Sequence, residues 1–471
     1  MNKKKQQLIK NTIIIFLGKT STQLISFFLL PLYTAYLTTS QYGLVDLIQT
    51  YVLLFVPIIT LETEMSIFRY LVDSRKKPEE TEKLMNNNFY ILFISLLIFS
   101  FIYLIVCLTT DIPYKLLIYF DVLVCVLSGN FLQVARGMGK TIDFSIACVV
   151  TGLTTITSNL ILIVGLGFRA DGMILSMALA NGVCSLYLFI RLKLYKYLSF
   201  KLKDTKLIKS MLKYSLPLVP NGVSWWIVNV SDRTIISWVL GSAANGLYAI
   251  SNKFPTILSS LLGIFNLSWS ESSALHINDD DREVFFSDVI NSMIKLFSCI
   301  GLCLITVMPF IFPILINSKF HDAIYYIPIL IIAYVFNVVI ALYTGIYIGM
   351  KKTKEVASTT IIGAIINIVV NLALINVIGI WAAAISTAAS YFAMMMYRYF
   401  DLKKYMKITF DKKAIISIIG VFALTFVIYY YNNFYLNLVS FVLSVVYSYL
   451  LNRNFIKTGV KTILRKLKII A

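Results

Sequence analysis

The sequence predicts an all-α polytopic membrane protein, and three observations predict it. The 471 residues are 58% hydrophobic with a mean hydropathy of +0.80, far more apolar surface than a soluble fold of this length buries. About 14 apolar runs are each long enough to cross a bilayer as a helix. Of the 42 Lys and Arg residues, 35 fall in alternate loops and so collect on one side of the membrane.

The runs can be placed in order, since a helix rising ~1.5 Å per residue needs roughly 20 residues to span the hydrocarbon. Six lie at 11–36, 43–68, 87–108, 114–135, 143–166 and 172–194. Six more lie at 215–240, 245–271, 287–316, 325–349, 356–376 and 380–400, and a last pair at 414–431 and 434–452. The chain divides accordingly into a six-helix bundle (1–194), a basic cytoplasmic linker (195–213), a second six-helix bundle (214–400), and two additional helices with a basic tail (401–471).

The loop charges set the orientation. With the N-terminus inside, only Lys115, Arg169 and Lys319 lie in loops on the far side, so the positive-inside rule puts both termini in the cytoplasm. The net charge of +19 is then an orientation signal with some attraction to anionic lipid head groups, and no nucleic-acid partner is implied. The first run is too long for a cleaved signal peptide and lacks a small-residue cleavage site. All six Cys lie in predicted spans, where they read as core packing.

An internal repeat joins the two bundles. Gln41-Tyr42-Gly43-Leu44 matches Ala244-Asn245-Gly246-Leu247 at an offset of 203, which also pairs Lys10 with Lys213. Gly137-Met138-Gly139-Lys140 matches Gly349-Met350-Lys351-Lys352 at an offset of 212, which also pairs Asn159 with Asn371 and Gly167 with Gly379. An even number of spans per half makes the repeats parallel, related by an axis along the membrane normal. Two six-helix bundles around a central cavity are the usual basis of alternating access.

Four cations remain inside spans: Lys19, Arg233, Lys253 and Lys295. Each costs at least ~2.5 kcal/mol near the bilayer centre unless it faces a wet interior or a partner. One reading has them line a cavity and bind an anionic head group, helped by Gln23 one turn from Lys19 and by Arg136 on the fourth span. The other reading has them form interhelical ion pairs, for instance Asp121 with Arg233 or Lys253. Asp46, Asp121 and Asp232 are the candidate coupling-ion or ion-pair carboxylates. Pro31, Pro57, Pro217, Pro220, Pro255, Pro309 and Pro313 mark expected bends, which serve as hinges in some transporters and as static kinks elsewhere.

Several segments together resemble the polysaccharide-flippase family, the Wzx-type O-antigen or capsule repeat-unit transporters of the multidrug/oligosaccharidyl-lipid/polysaccharide exporter superfamily. They are Lys10-Asn11 with Gly18, PLYTAYLTTSQYGLVDL from Pro31, RGMGK from Arg136, YSLPLVPNGV from Tyr214 and DRTIISWVLGSAANGLYAISNKF from Asp232. The resemblance implies a flippase that moves an undecaprenyl-pyrophosphate-linked oligosaccharide from the cytoplasmic to the outer leaflet of a bacterial inner membrane. It implies contact with membrane lipid, and a polymerase and a chain-length regulator as protein partners. It assigns a functional basic role to Arg233, and a lipid-tail groove to the last two spans.

No cofactor is implied. The chain has no G-x-x-x-x-G-K-[ST] run, so an energised cycle draws on a Na⁺ or H⁺ gradient. Two rivals remain. A drug/cation antiporter of the related multidrug family normally needs twelve helices and an acidic cavity. A membrane enzyme acting on lipid-linked sugars would need an acidic cluster such as Asp279-Asp280-Asp281-Arg282-Glu283 to hold Mg²⁺. His276 and His321 read as solvated loop residues.

Overall fold

Lipid offers the backbone no hydrogen bonds, so a chain this apolar has to satisfy itself inside helices. The computed structural model describes residues 25, 27–75, 77–198, 203–453 and 457, with the backbone alone at 221, 224, 225, 228, 229, 264, 267, 270, 271 and 353. Among the described residues there are helices and no strand.

The first half comprises α1 (Leu30–Tyr36), α2 (Thr39–Thr60), α3 (Thr63–Ser74), α4 (Pro78–Thr109), α5 (Lys115–Gly137), α6 (Thr141–Asn159) and α7 (Arg169–Arg191). An amphipathic α8 (Thr205–Ser215) follows. The second half comprises α9 (Val219–Val239), α10 (Ser242–Lys253), α11 (Thr256–His276), α12 (Arg282–Leu315), α13 (Ile327–Gly349), α14 (Thr353–Ile378) and α15 (Trp381–Leu402). Helices α16 (Lys412–Tyr431) and α17 (Phe434–Leu451) complete the chain's described part.

Among the described residues, ten helices are long and apolar enough to cross a membrane. The other expected spans have local reasons for falling short. The first lies largely outside the described residues, α9 carries Asp232 and Arg233, the eighth breaks at Phe254–Pro255 into α10 and α11, and α15 is rich in Ala, Ser and Tyr. Large apolar side chains stay exposed on the spans, among them Ile314 at 81% and Leu108 at 79%, which marks lipid as their solvent.

Contacts divide the chain into Met1–Val230 and Ser231–Ala471, so the first unit takes in the expected linker and the start of α9. Within that unit α8 packs on α3 and α4. Lys83 pairs with Asp204 at 2.6 Å, and the Asp204 backbone N–H donates to Asn87 at 2.8 Å. The Lys83 hydrogen bond holds the Asp204 carboxyl below its usual range.

The repeat is visible in the backbone of each unit. In the first, α3 packs on α5, α5 on α7 and α6 on α7; in the second, α11 packs on α13, α13 on α15 and α14 on α15. Gly139 and Lys351, 212 residues apart, both adopt positive φ (76° and 60°), as do Gly167 and Gly379 (71° and 58°). The Lys140 N–H bonds to Ala135 O at 2.8 Å and the Lys352 N–H to Tyr347 O at 2.8 Å, again 212 apart. Gly137 and Gly349 serve the same close approach: an added Cβ would stand 2.8 Å from Leu71 Cβ in one and 2.9 Å from Ser273 O in the other.

The caps differ. Thr38 and Gln41 form a reciprocal capping box at the start of α2, with bonds of 3.2 and 3.1 Å, whereas α10 starts on Gly241 at φ 89° with no side-chain cap. Nor do the breaks coincide. Between α2 and α3 the chain turns through Leu61 and Glu62, both non-glycine residues at positive φ, while α10 ends where Pro255 withholds its N–H.

Candidate ion and head-group site

Four helices of the second unit converge on Asp232, which is 5% exposed. From α10 the Tyr248 hydroxyl donates to Oδ2 at 2.9 Å, and from α14 the Asn371 amide donates to Oδ1 at 2.9 Å. From α15 the Thr387 hydroxyl lies 2.7 Å from Oδ2 and 2.9 Å from the Ala383 carbonyl, and its one proton can serve only one of them at a time. Asn367 donates to Thr387 Oγ1 at 3.4 Å.

The amide oxygens of Asn367 and Asn371 are buried without a hydrogen-bond partner. The cluster brings together a carboxylate, two amides and a hydroxyl, whose oxygens are the ligand type that a hard cation takes. The same carboxylate, walled off from water, is equally placed to hold a proton.

Arg233 is half-buried beside this cluster and within electrostatic reach of Tyr334 on α13. Lys253 is also half-buried, in the last turn of α10, where its carbonyl accepts the Thr256 hydroxyl at 2.7 Å across the helix break. Both stay in the second unit with Asp232.

The other candidate residues lie elsewhere. In the first unit Asp121 on α5 is 1% exposed and accepts a 2.7 Å bond from Gln49 on α2, while Asp46 lies one turn before Gln49, also buried. Arg136, in the last turn of α5, donates to Gln133 at 2.8 Å and lies over the Phe68 ring at 4.8 Å. Lys19 and Gln23 lie outside the described residues.

Lys295 is tied to Asp411 at 2.6 Å. It stands 212 residues after Lys83, and the two ties share a design: an Asp pairs with the Lys, gives its backbone N–H to an Asn (Asn291 at 3.0 Å here), and caps the next helix. That gives Lys295 a helix-packing role, as its counterpart Lys83 has.

Arg398 escaped the sequence reading, which counted it with the cytoplasmic loop at 398–413. It belongs to α15 and is 1% exposed. Its Nε donates to Thr359 at 2.9 Å. Nη1 donates to Thr344 at 2.6 Å and Ile340 O at 3.2 Å, and Nη2 to Val356 O at 3.2 Å and Thr360 at 3.3 Å. All five guanidinium N–H groups are engaged, so this cation pins α13, α14 and α15 together and has none left for a ligand. The Thr359-Thr360 pair facing an Arg in a span was the available signal.

The acidic stretch after α11 does not converge. His276 bonds to Asp279 at 2.6 Å, Glu283 accepts the Lys407 N–H at 2.7 Å, and among the described residues no three His, Cys, Asp or Glu side chains form a metal-holding group.

Solved structures of low identity share this fold. The lipid II flippase MurJ in an inward closed conformation matches with a TM-score of 0.69 at 16% identity, over 95% of this chain and 100% of that one. An inward-facing multidrug resistance MATE family transporter of the MOP superfamily matches at 0.68 and 12%, over 83% and 100%. The Vibrio cholerae MATE transporter VcmN in its bent form matches at 0.54 and 13%, over 85% and 98%. No curated protein matches the chain. The family described as polysaccharide biosynthesis protein matches residues 8–270, more than half of the sequence, and the chain belongs to that family.

Proposed function

We propose that the protein is an ion-coupled flippase that carries an undecaprenyl-pyrophosphate-linked oligosaccharide from the cytoplasmic to the outer leaflet of a bacterial inner membrane, by alternating access, for surface polysaccharide assembly. The observation that carries this reading is the adjacency of two chemistries on α9. Asp232 presents buried oxygen ligands to a Na⁺ or a proton, and Arg233 next to it is a membrane-embedded cation suited to a pyrophosphate.

Binding an ion at Asp232 neutralises its charge and reorganises the α9, α10, α14 and α15 contacts, which is how ion occupancy would bias the position of Arg233. Lys253, Lys19, Gln23 and Arg136 are further head-group ligands on this reading, while Lys295 joins them only by leaving Asp411. Both termini are cytoplasmic, as the loop charges require, and the polymerase and chain-length regulator act on the released product.

The test is genetic and chemical. Removing the protein should accumulate lipid-linked oligosaccharide on the cytoplasmic leaflet, and Arg233→Ala should do the same while the protein stays in the membrane. Normal surface polymer with Arg233→Ala would sink the head-group role. A drug/cation antiporter would instead leave polymer intact and alter resistance to organic cations. An enzyme using the acidic stretch would die when Asp279, Asp280 and Asp281 are changed together to Asn, whereas a flippase survives.

A further inference from the structure

One end of the second unit holds a pocket of about 160 Å³ that the transport cycle as described does not use. Its walls come from three segments: the end of α12 around Pro309 and Pro313, the short 3₁₀ helix Ser318–Tyr326, and the turn between α16 and α17 at Asn432. We propose that it binds a single neutral sugar ring, a hexopyranose, and serves as a subsite for the glycan at the face of the membrane opposite the basic loops. The proposal rests on the flippase reading for the source of the ligand; the pocket chemistry stands by itself.

The lining decides the ligand class. Asp322, His321 and Asn432 supply a carboxylate, an imidazole and a carboxamide, and among the described residues none of the three side chains makes a hydrogen bond to the chain. A carboxylate accepts from two neighbouring hydroxyls, and an amide both donates and accepts, which is the pattern a sugar edge requires. Tyr325, 42% exposed, supplies an aromatic surface whose electron-rich face suits the C–H face of a pyranose, with Tyr429 and Phe312 packed behind the pocket wall. No Lys or Arg lines the pocket and Asp322 repels anions, so a phosphate is disfavoured.

The walls are held in place. Tyr429 donates its hydroxyl to Ile324 O at 2.9 Å, and Tyr430 donates to Tyr325 O at 2.8 Å, so α16 is fastened to the short helix by two adjacent bonds at the pocket wall. Pro313 has no N–H to offer the Pro309 carbonyl, which adds an acceptor in this wall without an i+4 partner. The volume is well below the ~300–1,000 Å³ of pockets for drug-sized ligands, so only one ring fits at a time.

The full-length protein, purified in a detergent free of sugar head groups, would be titrated with methyl glucoside, methyl galactoside, methyl mannoside and N-acetylglucosamine by saturation-transfer NMR. At least one should bind at millimolar concentration. Asp322→Ala, on an exposed side chain, should weaken that binding tenfold or more. Asn432→Gly should do likewise: it removes the amide while suiting the left-handed backbone there (φ 54°), so the fold is preserved. Leu186→Ala, on the lipid face of the first unit, should bind sugar as the unaltered protein does. Absence of binding by all four sugars, or binding unchanged in both pocket variants, would overturn the proposal. If polymer export fails with Arg233→Ala but no sugar binds, the pocket falls and the flippase reading stands. If sugar binds at this pocket but Arg233→Ala exports normally, the reverse holds.

Discussion

Positions 29, 45, 155, 159 and 175 of the first unit occupy the places in the repeat that 232, 248, 367, 371 and 387 occupy in the second. The second set is Asp, Tyr, Asn, Asn and Thr around one buried carboxylate. The first is Leu29, Val45, Thr155, Asn159 and Leu175, with Leu29 and Val45 packed at 5% and 0% exposure and Asn159 turned to the Thr155 carbonyl at 2.7 Å. Backbone geometry repeats while chemistry does not. Turns, close approaches and helix order are imposed by glycines and left-handed positions that recur in register; an ion site requires only that one copy be polar.

The largest expected effect tests whether this asymmetry matters. Asp232→Asn keeps the shape of the cluster and removes its charge, and should cut ion-driven transport on the order of 100-fold, about 2.7 kcal/mol. Asn159→Ala should lower stability but leave the ion response intact. Ion-dependent polymer export in cells and ion-dependent thermal stabilisation of the purified protein measure both. Equal loss of the ion response in the two variants would dissolve the distinction between the units.

A second comparison sets Arg398 against its repeat position, Leu186, which is 58% exposed on the lipid face. Arg398→Lys leaves at least two of five acceptors unfilled and should cost about 2–4 kcal/mol. Leu186→Ala should stay within about 0.5 kcal/mol. Thermal unfolding in detergent separates them, and similar midpoints for the two would remove the pin.

Smaller effects should have opposite signs at equivalent places. Gly139→Ala forces a side chain into φ 76° and should destabilise by about 1 kcal/mol, whereas Lys351→Gly relieves φ 60° and should be neutral or stabilising by about 0.5 kcal/mol. Unfolding midpoints of the two variants check the sign. The smallest effect concerns the paired ties. The Lys295 hydrogen bond holds the Asp411 carboxyl below its usual range, as Lys83 does for Asp204. A depressed carboxyl contributes stability above its unfolded value of ~3.9 and loses it as pH falls through the folded value. Asp411→Asn should therefore flatten the acid side of the stability profile, read as unfolding midpoint against pH, by lowering the midpoint slightly at neutral pH and leaving it unchanged below the folded value.

Much of the architecture was legible because the bilayer imposes a length and a composition on each span. The last pair, expected at 414–431 and 434–452, is found at Lys412–Tyr431 and Phe434–Leu451. The break at Leu61–Glu62 was not legible, since packing and not residue type puts two non-glycine residues at positive φ. Asp232 was found from sequence as a charge in a span, but its partners are spread over 155 residues of chain and only the fold gathers them. For Lys295 the sequence left a head-group ligand and an ion pair both open, and its Asp411 partner, lying 116 residues away, is likewise seen only in the fold. Arg398 was assigned to a loop because it stands near the end of an apolar run, where composition alone cannot separate a buried cation from a solvated one.

The way Arg398 is held has a consequence for the ion-coupled cycle we propose. Its acceptors are three threonine hydroxyls and two backbone carbonyls, none of which titrates and none of which carries a charge for counterions to screen. The ties at Asp204 and Asp411 weaken in acid or salt. This one does not, so the second unit keeps a clamp whose strength is the same at whatever pH and ionic strength prevail on either side of the membrane.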